Sequence, residues 1–439
     1  MTGIPEFVDR LHEAHEVAQR VLEMTKTSFQ SPTDLDLDNK IRGLGIRTIF
    51  SVPCSITDTL HSRWQQQDGQ DGFRFIPTNH EHALPGLAAG YYMGRREIPM
   101  IHMQNSGLPN AGDGLISFAS VYKIPIFALV TWRGDSETDD SEPHQEIGMR
   151  TERLTKAFLK DQNVFGSRRG RTILRSFERA YQAAQRGEQA IVRLSPQAFD
   201  KVLPLKLPKM EETDPVITEQ EIWKLIKDRK EKSLSISKVA RVDGLQELVF
   251  ETYPDSADIF ANGFTSRAGQ AEADRLGNFY NVGYMGGGLA IGYGLAEANP
   301  DIDVLVIDGD QNALMSTMTD KLFVDTVYGR KPKNLKYAIL NNNIGASVGV
   351  TRSEQLPDYY YLIADVIQTC PDEPKSFASP RVKAAGSYFA DNDARTLAEK
   401  IGPLPVHQAR FTEWVEQQSR RNRMRTGRED NLVYLSRKA

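Results

Sequence analysis

Two aliphatic runs in the second half of the chain end alike. Val304-Leu305-Val306-Ile307 leads into Asp308-Gly309-Asp310-Gln311-Asn312, and Tyr337-Ala338-Ile339-Leu340 leads into Asn341-Asn342-Asn343. A short β-branched and aliphatic run is the pattern of a strand buried on both faces. In open α/β sheets ligands bind beyond the carboxyl ends of the strands. Asp310 and Asn342 are thus placed to converge on one hard cation and on a diphosphate that the cation bridges. Taken singly, Asp-Gly after a strand is an ordinary turn and an asparagine run an ordinary loop. The pairing, and its company upstream, points to a site.

In the first half, the segment from Pro77 to Tyr91 sets one carboxylate, Glu81, at the start of an Ala- and Gly-rich helix. A glutamate there also complements the helix macrodipole, and Pro85 suits an early turn. His80 and His82 flank Glu81, but a spacing of i, i+2 without further ligands is a weak metal pattern. Downstream come Gln104-Asn105-Ser106-Gly107, Thr131-Trp132-Arg133 and Glu142-Pro143-His144-Gln145. In the second half, Gly263-Phe264-Thr265-Ser266-Arg267 and Val282-Gly283-Tyr284-Met285-Gly286-Gly287-Gly288 offer glycines that let backbone N–H groups approach phosphate oxygens.

Two rival chemistries fail on spacing. A dinucleotide fingerprint with Asp308 as ribose acid needs a third glycine, yet that position is Ile291 counted from Gly286 and Glu297 counted from Gly292. A hydrolase elbow at Ser106 is absent, because Gln104 and Asn105 precede it, and Cys54 reads as a small packed hydrophobe.

The Asp310…Asn342 pairing resembles the Gly-Asp-Gly…Asn-Asn cofactor signature of thiamine diphosphate enzymes. Together with Val52-Pro53-Cys54-Ser55 and the motifs above, the chain resembles the phosphonopyruvate and sulfopyruvate decarboxylases over residues 41–145 and 265–350. The resemblance implies a catalytic set of Glu81, Gln104 and His144. It implies cofactor contacts from Glu81, Asn105, Ser106, Thr265, Ser266, Gly283, Met285, Gly286, Gly309, Asp310, Gln311, Asn312, Asn342 and Ile344. Mg²⁺ would be held by Asp310, Asn342 and the carbonyl of Ile344, and substrate by Ser55, Arg133 and Arg267. In this chemistry a carboxylate hydrogen-bonded to the pyrimidine N1′ favours the imino form that deprotonates C2, and the cofactor does the organic chemistry. For Arg133 two readings stay open: a dianionic phosphonate or sulfonate suits a guanidinium, and so does a structural ion pair.

The chain departs from the family in four places. Gln311 stands where the second glycine is expected, and the Asp-to-Asn separation is a few residues longer, with the excess around Tyr328–Lys333. Ile344-Gly345-Ala346 replaces a His-Asp pair, and His144-Gln145 inverts a Gln-His pair. Losing proton donors near the reacting carbon leaves room for capture by a second electrophile, so a carboligase is the alternative to a decarboxylase. A subunit whose site has decayed at Gln311 is a third reading.

The elements that must position these residues follow from length and pattern. A chain of 439 residues, 40 % hydrophobic and 26 % charged, accommodates two or three globular domains. A net charge of −4 gives no sign of a nucleic-acid or membrane partner. Cys54 and Cys370 make no disulfide framework, which suits a reducing cytoplasm. Met1 to Arg20 has no signal-peptide core, and no apolar run approaches the roughly 20 residues that span a bilayer. A helical arm is expected over 1–36, on the spacing of Phe7, Leu11, Ala14, Val17 and Val21. A first α/β domain follows over 37–202, a proline-rich linker over 203–217, a second α/β domain over 218–397 and a tail over 398–439. Strands are expected at Thr48–Val52, Met100–Met103, Ile126–Val130, Ala190–Leu194, Asp258–Ala261, Val304–Ile307 and Lys336–Leu340. In the tail, the basic stretch from Arg420 to Arg425 reads as a solvated helix end. The resulting fold is two doubly wound parallel-sheet domains without a middle domain. The resemblance implies a homodimer or homotetramer with sites at subunit interfaces.

Overall fold

The computed structural model describes residues 31–137, 139–167, 170–205, 217–236, 238–239, 241–345, 351–352, 355–369, 397 and 400–426. The helix expected around Phe7 to Val21, most of the linker and the last residues of the tail lie outside them, as do Ala346 to Gly349.

Continuous aliphatic runs make the centres of two parallel sheets. The first contains β1 (Thr48–Ser51), β2 (Arg74–Pro77), β3 (Met100–Gln104), β4 (Ile126–Thr131), β5 (Val164–Ser167) and β6 (Gln189–Leu194), in the order β2-β1-β3-β4-β6-β5. The second contains β7 (Ala257–Phe260), β8 (Asn278–Tyr280), β9 (Val304–Gly309) and β10 (Leu335–Asn341). Beyond a two-stranded ribbon of β11 (Ile344–Gly345) and β12 (Thr351–Arg352) it is completed by β13 (Asp365–Gln368), in the order β13-β10-β9-β7-β8. All pairings within the two larger sheets are parallel. Strand order reverses between β1 and β3 in one sheet and between β7 and β9 in the other, and such switch points open crevices at the strand carboxyl ends. The expectation of two doubly wound α/β halves is met.

The halves share one core. Leu87, Ile101 and Val130 of the first belong to the same buried cluster as Leu289, Ile291 and Val306 of the second. The Ala83–Arg95 helix packs along the Gly288–Ala298 helix, and small residues set the closeness of that contact. A Cβ at Gly294 would lie 2.1 Å from the Leu87 carbonyl oxygen, and one at Gly86 would lie 2.8 Å from the Ala290 methyl.

Part of the tail is a helix, Leu404–Thr426, that lies against the Ala83–Arg95 helix and β8. Phe411 and Val415 are buried, and the His407 ring stacks on Phe279 and Tyr280. Its basic end is more than a solvated charge run: Asn422 donates to the Asp301 carbonyl at 2.8 Å and Arg423 lies 3.6 Å from the Asp301 carboxylate. Among the described residues no helix is long and apolar enough to cross a membrane.

Candidate active site

β2 delivers the chain to the turn holding Glu81, one residue before the cap of the Ala83–Arg95 helix. Its carboxylate rests on the segment after β3: Asn110 donates to Glu81 Oε2 at 3.0 Å, and Gly107 lies directly beneath. Beside it, His82 faces the second half. The Tyr284 hydroxyl donates to the His82 carbonyl, and the two rings lie 4.9 Å apart. Burial holds the His82 imidazole below its ordinary range, partly countered by Asp113 and a hydrogen bond to the Met285 backbone. His82 thus brings the segment that holds Glu81 against the Met285 turn, and Met285 leaves its side chain half-exposed.

The glycine turn is built for close approach. Gly283 and Gly286 have φ of 98° and 69°, a region that disfavours side chains. A Cβ at Gly286 would meet the Met315 carbonyl at 2.6 Å. The Asn312 side chain ties this turn to its neighbour by accepting from the Gly286 N–H at 2.9 Å and donating to the Asn262 carbonyl.

At the end of β9, Asp310 is 3 % exposed, and at the end of β10, Asn342 is 1 % exposed. The β9–β10 register pairs Gly309 with Leu340, so the two side chains lie on adjacent strand ends. Thr265 faces the same turn, its hydroxyl 3.5 Å from where a Cβ on Gly309 would stand. Buried oxygens on adjacent strands beside a side-chain-free glycine turn fit a hard cation and a diphosphate. Gln311 lies in the first turn of the Asp310–Met315 helix, its N–H bonded to Asp310 Oδ1 at 2.9 Å, so the missing glycine forces no unusual backbone. Asp308 is fully buried, with the Tyr337 hydroxyl on Oδ2 at 2.8 Å, and burial pushes its carboxyl up to about 7. It is out of reach of a ribose, which closes the dinucleotide reading.

Several residues expected at the site are bonded within the fold. Asn105 is fully buried and spends its amide on the Arg133 carbonyl and Thr151, while its oxygen accepts from the Arg133 N–H. The Ser266 hydroxyl lies within hydrogen-bond distance of the carbonyls of Phe260, Ala261 and Asn281. Gln104 donates to Ser106 at 2.7 Å and accepts from the Cys54 thiol at 3.5 Å.

The three residues expected to bind substrate are divided. Ser55 and Arg133 line a cavity of about 280 Å³ with Asp139, Asp140 and Lys201. Arg133 grips Asp140 with Nε at 2.9 Å and Nη2 at 2.7 Å, and that bond holds the Asp140 carboxyl below its usual range. Arg133 thus makes the structural ion pair, with two of its donors on Asp140. His144 lies close enough for its charge to act on Asp140. Arg267 belongs to the second half, stacked over Phe264 at 4.6 Å.

Sequence reading missed Asn110 and Ser117, whose hydroxyl donates to the Gly283 carbonyl at 3.1 Å. Both lie in the helical stretch that follows the Gln104–Gly107 motif, and that placement was the available signal. His82, next to Glu81, meets the glycine turn where the two small-residue helices pack together.

No protein-family profile matches the chain. It is 28 % identical over 313 residues to a phosphonopyruvate decarboxylase of Streptomyces hygroscopicus, covering 71 % of this chain and 73 % of the relative. It is 36 % identical over 91 residues to the sulfopyruvate decarboxylase subunit alpha of Methanococcus maripaludis, covering 21 % of this chain and 52 % of the relative. The solved thiamine diphosphate-dependent 4-hydroxybenzoylformate decarboxylase of Rhodococcus jostii RHA1 shares the fold, with a TM-score of 0.51 at 15 % identity over 76 % of this chain and 98 % of that one. The chain is thus similar in sequence to phosphonopyruvate and sulfopyruvate decarboxylases and shares its fold with thiamine diphosphate-dependent enzymes.

Proposed function

We propose that the chain binds thiamine diphosphate and Mg²⁺ in the cleft between its sheets and removes CO₂ from a 3-substituted pyruvate, phosphonopyruvate foremost, releasing the aldehyde. The observation that supports this most directly is the contact of His82, the residue after Glu81, with the Tyr284–Met285 turn, itself tied through Asn312 to the helix that Asp310 begins. Asp310, Asn342 and the carbonyl of Ile344 would hold the cation, and the glycine turn the diphosphate. When bound, the cofactor supplies a carbon nucleophile and an electron sink. The role of Glu81 is to share a proton with the cofactor's pyrimidine ring through its carboxylate. The setting we propose is a cytoplasmic homo-oligomer, in keeping with the few cysteines and with the subunit named in the sulfopyruvate relative.

Substrate choice falls to Arg133. A guanidinium carries five donors, of which Asp140 takes two, so the rest can meet an anion. Holoenzyme incubated with phosphonopyruvate, sulfopyruvate and pyruvate, each with and without an acceptor aldehyde, tests this by ³¹P NMR and mass spectrometry. Phosphonopyruvate is expected to turn over far faster than pyruvate, with Arg133→Ala narrowing the gap. Equal rates on the two would overturn the anion argument, and a ligated hydroxyketone as product would transfer the reading to a carboligase.

A further inference from the structure

Gly107 has φ of −84°, ordinary for any residue, and no turn requires a glycine there. What excludes a side chain is Glu81. A Cβ on Gly107 would fall 2.3 Å from Cγ, Cδ and Oε1 of that glutamate, and every one of its three nearest neighbours belongs to Glu81. Three residues on, at the spacing that puts side chains on one helical face, Asn110 donates its amide to Glu81 Oε2 at 3.0 Å. One oxygen of the carboxylate is thus bonded, and the other lies flat on a residue without a side chain.

We propose that Gly107 and Asn110 form a seat that positions Glu81, with Asn110 as a positioning residue that fixes one carboxylate oxygen as an acceptor. The proposal rests on the reading of Glu81 as the proton-sharing group. An amide donor fixes which carboxylate oxygen accepts, and because such donors favour an ionised carboxylate over an acid, loss of the contact is readable in a pH profile. Neither residue needs to touch cofactor or substrate to do this. The amide cannot be replaced by a carboxylate, because two carboxylates about 3 Å apart cannot both ionise freely.

Two measurements test the seat. The first is a double-mutant cycle on thermal unfolding of the full chain without cofactor. Gly107→Ala is expected to lower the midpoint by several degrees in the parent and to have little effect in a Glu81→Ala background, where the clashing atoms are gone. Equal shifts in both backgrounds would overturn the contact. The second is the pH dependence of thiamine diphosphate affinity in the presence of Mg²⁺, read by calorimetry. Its acid limb is expected to move to higher pH in Asn110→Ala and further in Asn110→Asp, while Asn110→Gln, which keeps a donor, stays nearer the parent. Limbs that coincide in all four proteins would sink the role of Asn110. Glu81→Gln serves as the reference: if that variant turns over normally and has the parent limb, the reading of Glu81 itself has failed, whatever Asn110 does.

Discussion

Gly90 and Ile291 meet backbone to backbone: a Cβ on Gly90 would stand 1.9 Å from the Ile291 carbonyl oxygen and 2.7 Å from the Leu295 nitrogen. Main-chain atoms cannot rotate aside as a side chain can. Overpacking a core costs about 1–3 kcal/mol even where side chains can yield. Gly90→Ala is therefore expected to lose at least about 3 kcal/mol, visible as a lower denaturation midpoint. Gly43 supplies the contrast, since its Cβ would meet nothing within 4 Å and its helix would gain up to about 1 kcal/mol from alanine. An unchanged midpoint in Gly90→Ala would mean the two halves do not pack through this contact.

The donor set at the strand ends predicts a metal-dependent effect. Asp310→Ala and Asn342→Ala each remove an oxygen that octahedral Mg²⁺ would need. Affinity for thiamine diphosphate in the presence of Mg²⁺ is expected to fall by more than the roughly 10–100-fold that follows loss of an outer-shell partner. Calorimetric titration checks this, and parental affinity in both variants would remove these residues from the site.

What was legible in the sequence divides along the sheets. The seven strands expected from aliphatic runs are all present, and the four further strands of the large sheets, β2, β5, β8 and β13, are the four sheet edges. An edge strand has one neighbour and shorter burial, so β2 reads Arg-Phe-Ile-Pro with both ends exposed, and β13 reads Asp-Val-Ile-Gln with one buried position. Neither carries the continuous pattern that marked β4. At the site, the strand-end oxygens were legible because motif and fold coincide there. The commitment of Asn105 and Ser266 to backbone carbonyls was not, since a buried polar side chain looks the same in sequence whether it meets a ligand or a carbonyl. The pairing of Arg133 with Asp140 was open for the same reason.

Acid should loosen the tail helix in a defined window. His407 accepts the Tyr280 N–H on Nε2 at 3.1 Å. Burial, reinforced by Arg410, pushes its pKa down from 6.5 to about 3, while burial, partly offset by Asp58, takes His61 to about 4. Between the unfolded and folded values the unfolded chain holds protons that the folded chain does not, so stability rises with pH across that interval. The contribution is complete above 6.5 and is lost as pH falls towards about 3. Denaturation midpoints are expected to drop steeply from pH 7 to 4, as an order-of-magnitude window. His407→Gln, which keeps an acceptor but cannot titrate, is expected to flatten that slope. An identical slope in the variant would exclude His407 as a contributor.

His82, next to Glu81, meets the Tyr284–Met285 turn of its own chain, and that contact predicts a cleft that works within one polypeptide. Glu81→Gln keeps the shape of the side chain but removes the proton-sharing carboxylate, so turnover is expected to fall on the order of 10²–10⁴-fold, the usual weight of a positioned acid–base group. Asp310→Ala is expected to be inactive through loss of cation binding. In a mixed oligomer of these two chains, every cleft would then carry one defect or the other, and activity would not return. Mixing parent chains with the Glu81→Gln, Asp310→Ala double variant gives the converse test, since each parent chain would retain its full rate whatever its neighbour. If the cleft were shared between subunits, the outcomes would reverse: the two single variants would regenerate some intact sites, and the double variant would depress the activity of the parent. Turnover after exchange, with mixed assemblies verified by native mass spectrometry, decides between them. Recovery in the first mixture would show that the helix contact at Gly90 joins two different chains in the working enzyme.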